Sequence, residues 1–430
     1  MHTSQMTWTS ADGCAVPGRS VAEPVEARAM SVDPSTSSGT ELGSAGEPHG
    51  LAVRWEERVM RAAHPIVYPA LKMARRAAVR VPGLGVLVTD ATLLRETLMN
   101  TASFTKTGPG SPSDLWTPVL GPAVLLNMEG ADHLALRRKL GSLFAPSYVE
   151  PLVAASLGKA AAELTVRLRA GERVDIVAEA KRNASIMISQ LVGLDVAQVN
   201  DDLFDRVSSI TRFVRLARPK LTDAQARAAR DILGELTEHA RAAYRSGDER
   251  TVPGRMRSLG LSEDEAMGAV GAFVLTGTET LVSYIPRLVA LLIDSGWLPL
   301  VAADRRLSEG AIAEGLRVTT PSPVMLRSVV AEDTIGGVAV HPGDRVILAT
   351  FAANRALGVF DPGANVAASL KQLWFGAGTH FCLGAPLAMA QIRLTLDAIL
   401  DAGPVTIRTR SAARGVLIPS YASLVIEGAA

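Results

Sequence analysis

The residues best placed to do chemistry sit in FGAGTHFCLG, residues 375–384. Cys382 is one of two cysteines in the chain, and Phe375, Gly376, Gly378, His380 and Gly384 crowd around it. Glycines on both sides remove side-chain bulk and let a backbone approach a large flat object closely. The run after Gly384 reads as a helix, which puts Cys382 near a helix N-terminus, where free N–H groups favour a thiolate. A lone cysteine in an apolar setting is ordinarily core filler. A nucleophilic role needs a histidine base, and His380 lies two residues away. A tetrahedral zinc needs further ligands, and no second cysteine or ligand cluster is near. A phosphate loop needs a Gly-Lys-Ser/Thr that does not follow these glycines. A metal that arrives with four ligands of its own needs one more, and haem is such a metal, with thiolate among its axial choices.

Stepping outward, the elements that must hold this loop are mostly helices. ADHLALRRKLGSLF and YVEPLVAASLGKAAAELTVRLRAG carry apolar residues at spacings of three and four, and the pattern stays helical from 131 to about 247. Short turns are expected at RAGERV and GLDVAQVNDD. The spacing predicts one long helix over 262–296, about 50 Å at 1.5 Å per residue, started by a cap at Ser262 and bent or broken at Pro286. Its centre is apolar apart from TGTET, 276–280, and polar groups in such a place need a partner or a job. Helix is also expected near 54–78, with HPIVYPALKMARRAAVR (64–80) as a packed or surface helix, and over 308–318 and LAMAQIRLTLDAILDAG. GVLVTD (85–90) reads as a buried strand with Thr89 or Asp90 capping the next helix. Further strands are expected at 326–330, 338–340 and 345–350, with a tight turn at HPGD, and as a closing hairpin in GPVTIRTR and RGVLIPSYASLVIEG. Residues 104–130 read as a long apolar loop punctuated by glycine and proline, and loops of that length are functional or disordered. The class is mainly α with small β-sheets, without βαβ alternation.

The bulk numbers agree. Of 430 residues, 48% are hydrophobic and 20% charged, enough for a large core. A net charge of +1 excludes a nucleic-acid binder that works by basic excess. Cys14 and Cys382 make no disulfide scaffold, and a reducing cytoplasm is expected. No run is long and apolar enough for stable membrane insertion, because Asp294, Ser295 and Gly296 interrupt the best one. Residues 1–50, rich in Ser, Thr, Gly, Pro and Glu, are expected to be a disordered extension ahead of one domain, 51–430.

FGAGTHFCLG resembles the cysteine-ligand loop of the cytochrome P450 family, Phe-x-x-Gly-x-x-x-Cys-x-Gly, at every specified position. The resemblance continues in order from about residue 80 to 428. It implies the cytochrome P450 fold, with haem b between the long central helix and the ligand loop, and Cys382 as its axial thiolate. Phe375 and Gly376 would line the cofactor. His133 and Arg137, one turn apart in HLALR, together with Arg327 and His380, would hold the haem propionates. Glu314 and Arg317 in EGLR match the family's buried Glu-x-x-Arg pair, and Asn354 and Arg355 its structural Ala-Asn-Arg segment. TGTET is similar to the oxygen-activating stretch, which implies roles for Gly277, Glu279 and Thr280 in oxygen and proton handling. Pocket walls would come from Trp116, Val119, Leu120, Phe273, Thr276, Val324, Met325 and Ile418.

The chain departs from the family pattern at Thr276, where a smaller residue is usual, at Leu281, and at Met389 and Gln391 after the cysteine. Ala356 and Leu357 replace the Asp-Pro that often follows Asn-Arg. The resemblance implies a monomeric, cytoplasmic monooxygenase acting with O2 on a hydrophobic small molecule of specialised metabolism. Electrons would come from a separate ferredoxin or flavodoxin with an NAD(P)H-dependent reductase, docked beneath Cys382, where Arg138 and Lys139 face solvent. A partner-independent isomerase or peroxygenase, and a silent binding protein on the same scaffold, remain open alternatives.

Overall fold

The computed structural model describes residues 47–73, 76–194, 203–214, 220–364 and 366–429. The expected disordered extension and Cys14 lie outside them as far as residue 46, and so does most of the turn expected at GLDVAQVNDD. Residues Gly46–Ala430 cluster as one unit. The chain enters through helices α1 (Glu47–Ala63) and α2 (Val67–Met73), then strands β1 (Ala78–Val81) and β2 (Gly85–Val88). Helix α3 (Ala91–Met99) starts at Asp90, whose carboxylate accepts from the amides of Thr92 and Leu93, as the cap expectation requires. Then follow β3 (Phe104–Thr105), α4 (Pro112–Leu120), α5 (Gly130–Gly141), α6 (Pro146–Arg169), β4 (Arg173–Asp175), α7 (Ile176–Val192), α8 (Leu203–Thr211), α9 (Asp223–Ser246) and α10 (Val252–Ser258). The central helices are α11 (Glu263–Gly277) and α12 (Glu279–Asp294), with α13 (Trp297–Ala303) and α14 (Ser308–Thr319) beyond. Strands β5 (Met325–Val329), β6 (Asp333–Ile335), β7 (Val338–Val340) and β8 (Arg345–Leu348) lead to α15 (Thr350–Arg355), α16 (Ala385–Ala402) and the hairpin β9 (Val405–Ala412) and β10 (Tyr421–Gly428).

The sheets are small. One has five strands in the order β1-β2-β8-β5-β3, one is β4-β10-β9, and one is the β6-β7 ribbon. Only β2 and β8 run parallel, Val86 opposite Val346; the other pairs are antiparallel. Helices supply the bulk. In α6 the buried positions are Val149, Val153, Leu157, Ala160, Leu164 and Leu168, a stripe at spacings of three and four that α16 packs along. The largest core gathers α12, α14, α16 and the five-stranded sheet; a second gathers α5, α7, α8, α9 and α11.

Several expectations needed correction. The central helix is two helices, not one. Its start is as expected, with reciprocal bonds between Ser262 and Glu265. It breaks at Thr278 (φ −100°, ψ −50°), and Pro286 is accommodated within α12. The hydroxyls of Thr276 and Thr278 donate to the carbonyls of Ala272 and Val274 at 2.7 and 3.2 Å, and Gly277 between them has no side chain to stiffen the turn. The segment Glu263–Asp294 is apolar and long enough to cross a membrane by composition, but two-thirds of its most apolar window (67%) is buried in protein. The 104–130 loop contains α4, which begins after Ser111 with Pro112 at its first position. The first helix starts at Glu47, inside the segment expected to be disordered. The helix expected over 64–80 is only Val67–Met73, and β1 follows. Strand β6 was not anticipated, and β8 stops at Leu348.

Two charge networks lie inside this frame. Arg317, with no exposed surface, donates to both carboxylate oxygens of Glu314 at 2.8 and 2.5 Å and to the carbonyls of Asn354 (2.7 Å) and Val359 (2.9 Å). Glu314 also accepts from the amide of Asp361 at 3.0 Å. Asn354 donates to the Thr320 hydroxyl at 3.0 Å, holding a β-branched residue at φ +39°, which costs energy anywhere else. In the second network only Arg355 was expected from the sequence; Glu56 and Arg287 carried no signal. Glu56 of α1 accepts from Arg287 of α12 at 2.6 and 3.1 Å and from Arg355 of α15 at 2.9 Å. Replacing Arg317 with alanine strands the Glu314 charge and the carbonyls of Asn354, Gly358 and Val359, so urea unfolding should show a loss of about 3–5 kcal/mol. A change under about 1 kcal/mol would mean the pair does not hold the fold.

Candidate active site

The cysteine loop is shaped by backbone conformations that glycine permits. Gly376 (φ +85°) and Gly378 (φ +66°) turn the chain, and a Cβ on Gly378 would stand 3.0 Å from the Leu98 carbonyl. The Cys382 amide donates to the Phe375 carbonyl at 2.9 Å, closing the loop just before α16. The rings of Phe375 and Phe381 meet edge to face at 6.0 Å. The sulfur is accessible yet lies in a recess. Burial pushes the Cys382 thiol up, while the amides of Gly384 and Ala385 and the charges of Arg137 and Lys106 favour the thiolate.

Beside the sulfur is a cluster of cations with one carboxylate. Arg137 of α5 donates to the Phe381 carbonyl at 2.6 Å, tying α5 to the loop. The rings of His133 and His380 lie 4.2 Å apart. Arg327 of β5 is buried and, among the described residues, donates to its neighbour's carbonyl alone, at 2.8 Å. Burial pushes Arg327 down to about 10, with Glu129 opposing the shift. Burial, then His380, Lys106 and Arg137, lower His133 to about 4. Burial lowers His380 as well, partly offset by Glu129. Two members were missed in the sequence. Burial, reinforced by Arg327, brings Lys106 down to about 7. Glu129 accepts from the Lys106 amide at 2.6 Å and from His380 at 2.7 Å; these bonds and the Arg327 charge hold it at about 2 although burial opposes its ionisation. Their own stretch of sequence, which also carries Asp114, gave no signal that singled them out.

The central-helix residues gather at the break. Thr276 and Gly277 are exposed, and a Cβ at Gly277 would meet nothing within 4 Å. Glu279 accepts hydrogen bonds from Ser208 and from Thr211 (3.1 Å) of α8, residues that carried no recognisable motif. Thr280 is half-buried, and its hydroxyl has no partner among the described residues. Trp116, Val119, Leu120 and Phe273 share one apolar cluster, where Phe273 packs edge-on against Phe144 at 4.9 Å. Val119 lies in the buried part of it. Met325 reaches toward Gly376, with its sulfur 4.0 Å from where a Cβ would be. Val324 and Ile418 are half-buried on other segments, the run into β5 and the β9–β10 turn. Arg138 is at the surface, but Lys139, expected to face solvent freely, pairs with Glu265 at 3.1 Å.

This set of residues fits an iron porphyrin. It offers one accessible sulfur with amides directed at it, side-chain-free turns beside it, and Lys106, Arg137 and Arg327 against the single carboxylate of Glu129. Burial is the main cause of the depressed values of Lys106 and Arg327, and two propionates would give these desolvated cations counter-charge.

Lys106 also gives a pH dependence. Below about 7 the folded and unfolded chains both carry its proton, and the penalty of the buried charge is complete. Between about 7 and the ordinary 10.5 only the unfolded chain holds the proton, so stability without a bound anion should rise with pH across that window. Urea unfolding at both ends of the window measures the rise, and Lys106→Met should flatten it. An unchanged slope in the variant would assign the effect to another group.

The comparisons agree with this geometry. The family model described as Cytochrome P450 matches residues 303–407, which include Glu314, Arg317, Arg327, Asn354 and the whole Cys382 loop. The chain is 28% identical over 299 residues to a C-19 steroid 1alpha-hydroxylase of Sorangium cellulosum, covering 65% of this chain and 74% of that one. It is 29% identical over 294 residues to a mycinamicin IV hydroxylase/epoxidase of Micromonospora griseorubida, covering 65% and 72%. Its fold is similar to that of a mutant of P450 EryK in complex with erythromycin B, with a TM-score of 0.72 at 22% identity over 86% of this chain and 97% of the other. It is also similar to CYP109E1 from Bacillus megaterium in complex with testosterone, with a TM-score of 0.66 at 19% identity over 86% and 100%. Over residues 303–407 the chain is similar to the Cytochrome P450 family model, and its fold is similar to those of solved cytochrome P450 structures.

Proposed function

We propose that this chain is a haem-thiolate monooxygenase, built as one domain that begins with α1 at Glu47, that oxidises a hydrophobic small molecule of specialised metabolism. The observation that carries the reading is the accessible Cys382 sulfur at the start of α16, set beside cations that lack enough carboxylate. Cys382 would be the axial ligand of haem b. His133, Arg137, Arg327 and His380 would hold the propionates, joined by Lys106, with Phe375 and Gly376 along the ring. Bound there, haem supplies the iron at which O2 is reduced and its bond cleaved.

The chain's own residues have separable tasks. Gly277 leaves room at the helix break. Glu279 would relay a proton through its carboxyl, and the Thr280 hydroxyl would pass it inward while ordering the water it comes through. Trp116, Val119, Leu120, Phe273, Thr276, Val324, Met325 and Ile418 would shape an apolar pocket that orients the substrate and excludes water. Relatives named for a C-19 steroid and for mycinamicin IV support a bulky, mostly apolar scaffold as the substrate class. Electrons would come from NAD(P)H through a reductase and a ferredoxin or flavodoxin. The recess lined by Leu134, Arg137, Arg138, Gly141 and Leu383 offers a cationic docking place beside the ligand loop. A monomer in the cytoplasm fits this use.

The reduced, carbon monoxide-bound protein should show the Soret band of thiolate ligation, and Cys382→Ser should lose it. A band of another ligand type in the wild-type protein would overturn the assignment. Thr280→Ala should keep haem while sending about tenfold more of the reducing power into peroxide. Unchanged coupling would remove Thr280 from the proton route.

A further inference from the structure

Glu279 is half-buried and is held by hydroxyls instead of by a cation. Its Oε1 accepts from the Ser208 hydroxyl and from the Thr211 hydroxyl at 3.1 Å. Ser208 and Thr211 are three apart on α8, so both lie on the face turned toward α11 and α12. Both are buried, at 8% exposure each. No cation pairs with Glu279 among the described residues. The charges of α8 are engaged elsewhere, Asp205 with Lys181 at 2.9 Å and Arg206 with Glu235. Thr211 has a second acceptor, the Ser208 carbonyl at 2.8 Å.

That arrangement has a chemical consequence. A carboxylate paired with arginine or lysine must lose its partner's attraction to take up a proton. A hydroxyl both donates and accepts. When Glu279 is ionised, Ser208 and Thr211 donate to it. When it is protonated, its own O–H can donate to a hydroxyl oxygen, and Thr211 can turn its hydrogen to the Ser208 carbonyl. Neither state leaves a buried polar group unpaired. A proton can therefore arrive and leave with only hydroxyl rotation and no ion pair to break.

We propose that Ser208 and Thr211 are positioning residues for Glu279, gripping its carboxyl through hydroxyls so that it changes protonation state in place during turnover. The inference rests on the role given to Glu279 above. It predicts that removing both hydroxyls impairs proton supply while Glu279 itself stays.

The test uses Ser208→Ala with Thr211→Val, the hydroxyl-keeping exchange Ser208→Thr with Thr211→Ser, and Glu279→Gln as reference. The first readout needs no haem: the carboxyl infrared band of Glu279, identified by its disappearance in Glu279→Gln, should shift in the hydroxyl-free variant and return in the hydroxyl-keeping one. The second uses the haem-loaded protein with NADPH, a plant-type ferredoxin and its reductase, and no added substrate. Peroxide released per O2 consumed should rise about threefold in the hydroxyl-free variant, of the order expected for a weakened proton donor. The hydroxyl-keeping variant should restore the wild-type ratio, which a general loss of fold would not allow. If Glu279→Gln leaves the ratio unchanged, the role of Glu279 itself fails. If Glu279→Gln raises the ratio but the hydroxyl-free variant does not, or if the infrared band stays in place, this proposal fails alone.

Discussion

A thiol sulfur at the start of α16, faced by amide N–H groups and by more positive charge than the surrounding carboxylate can balance, is the constraint from which the rest of the structure follows. Such a sulfur must be reachable, so the loop before it cannot be filled with side chains; Gly376 and Gly378 answer that by adopting positive φ. The cations around it need an elastic source of negative charge, and Glu129 supplies only part of it. Keeping cations this close together without their counter-charge is costly. The surrounding elements have to be rigid enough to hold them.

That rigidity comes from buried ions as much as from apolar packing. Arg317 ties the end of α15, at Asn354, to the irregular chain at 358–359, which no helix or sheet would otherwise fix. It does so through a guanidinium whose planar fork matches both a carboxylate and several carbonyls at once. A lysine could not make the same set of bonds. The strained Thr320 is part of the same device, since the Asn354 side chain meets its hydroxyl and α14 ends there. The result is a cross-braced junction of α14, α15 and the chain at 358–359, while the break between α11 and α12 leaves open space at Gly277.

How much of this was legible depended on the kind of signal. The periodic helices α6 and α16 and the Asp90 and Ser262 caps were readable because apolar spacing and cap chemistry are local. The Cys382 loop was readable because unusual residues crowd into ten positions. The break at Thr278 was not, since a proline eight residues on looked the likelier breaker, and only threonine back-bonding around a glycine reveals the actual point. Lys106, Glu129, Ser208 and Thr211 were missed for another reason. Each matters only through a partner far along the chain, such as His380 for Glu129 and Glu279 for Ser208. Nothing in their own neighbourhoods marks them.

Glu56 shows what such long-range pairing means for the chain's beginning. One carboxylate on the first described helix neutralises guanidiniums from two different parts of the protein, Arg287 and Arg355. Helix α1 is therefore a keystone and not a trailing strap: cutting it away would leave two desolvated positive groups facing each other with nothing between them. Any shortened version of this protein has to keep its amino-terminal boundary ahead of residue 47.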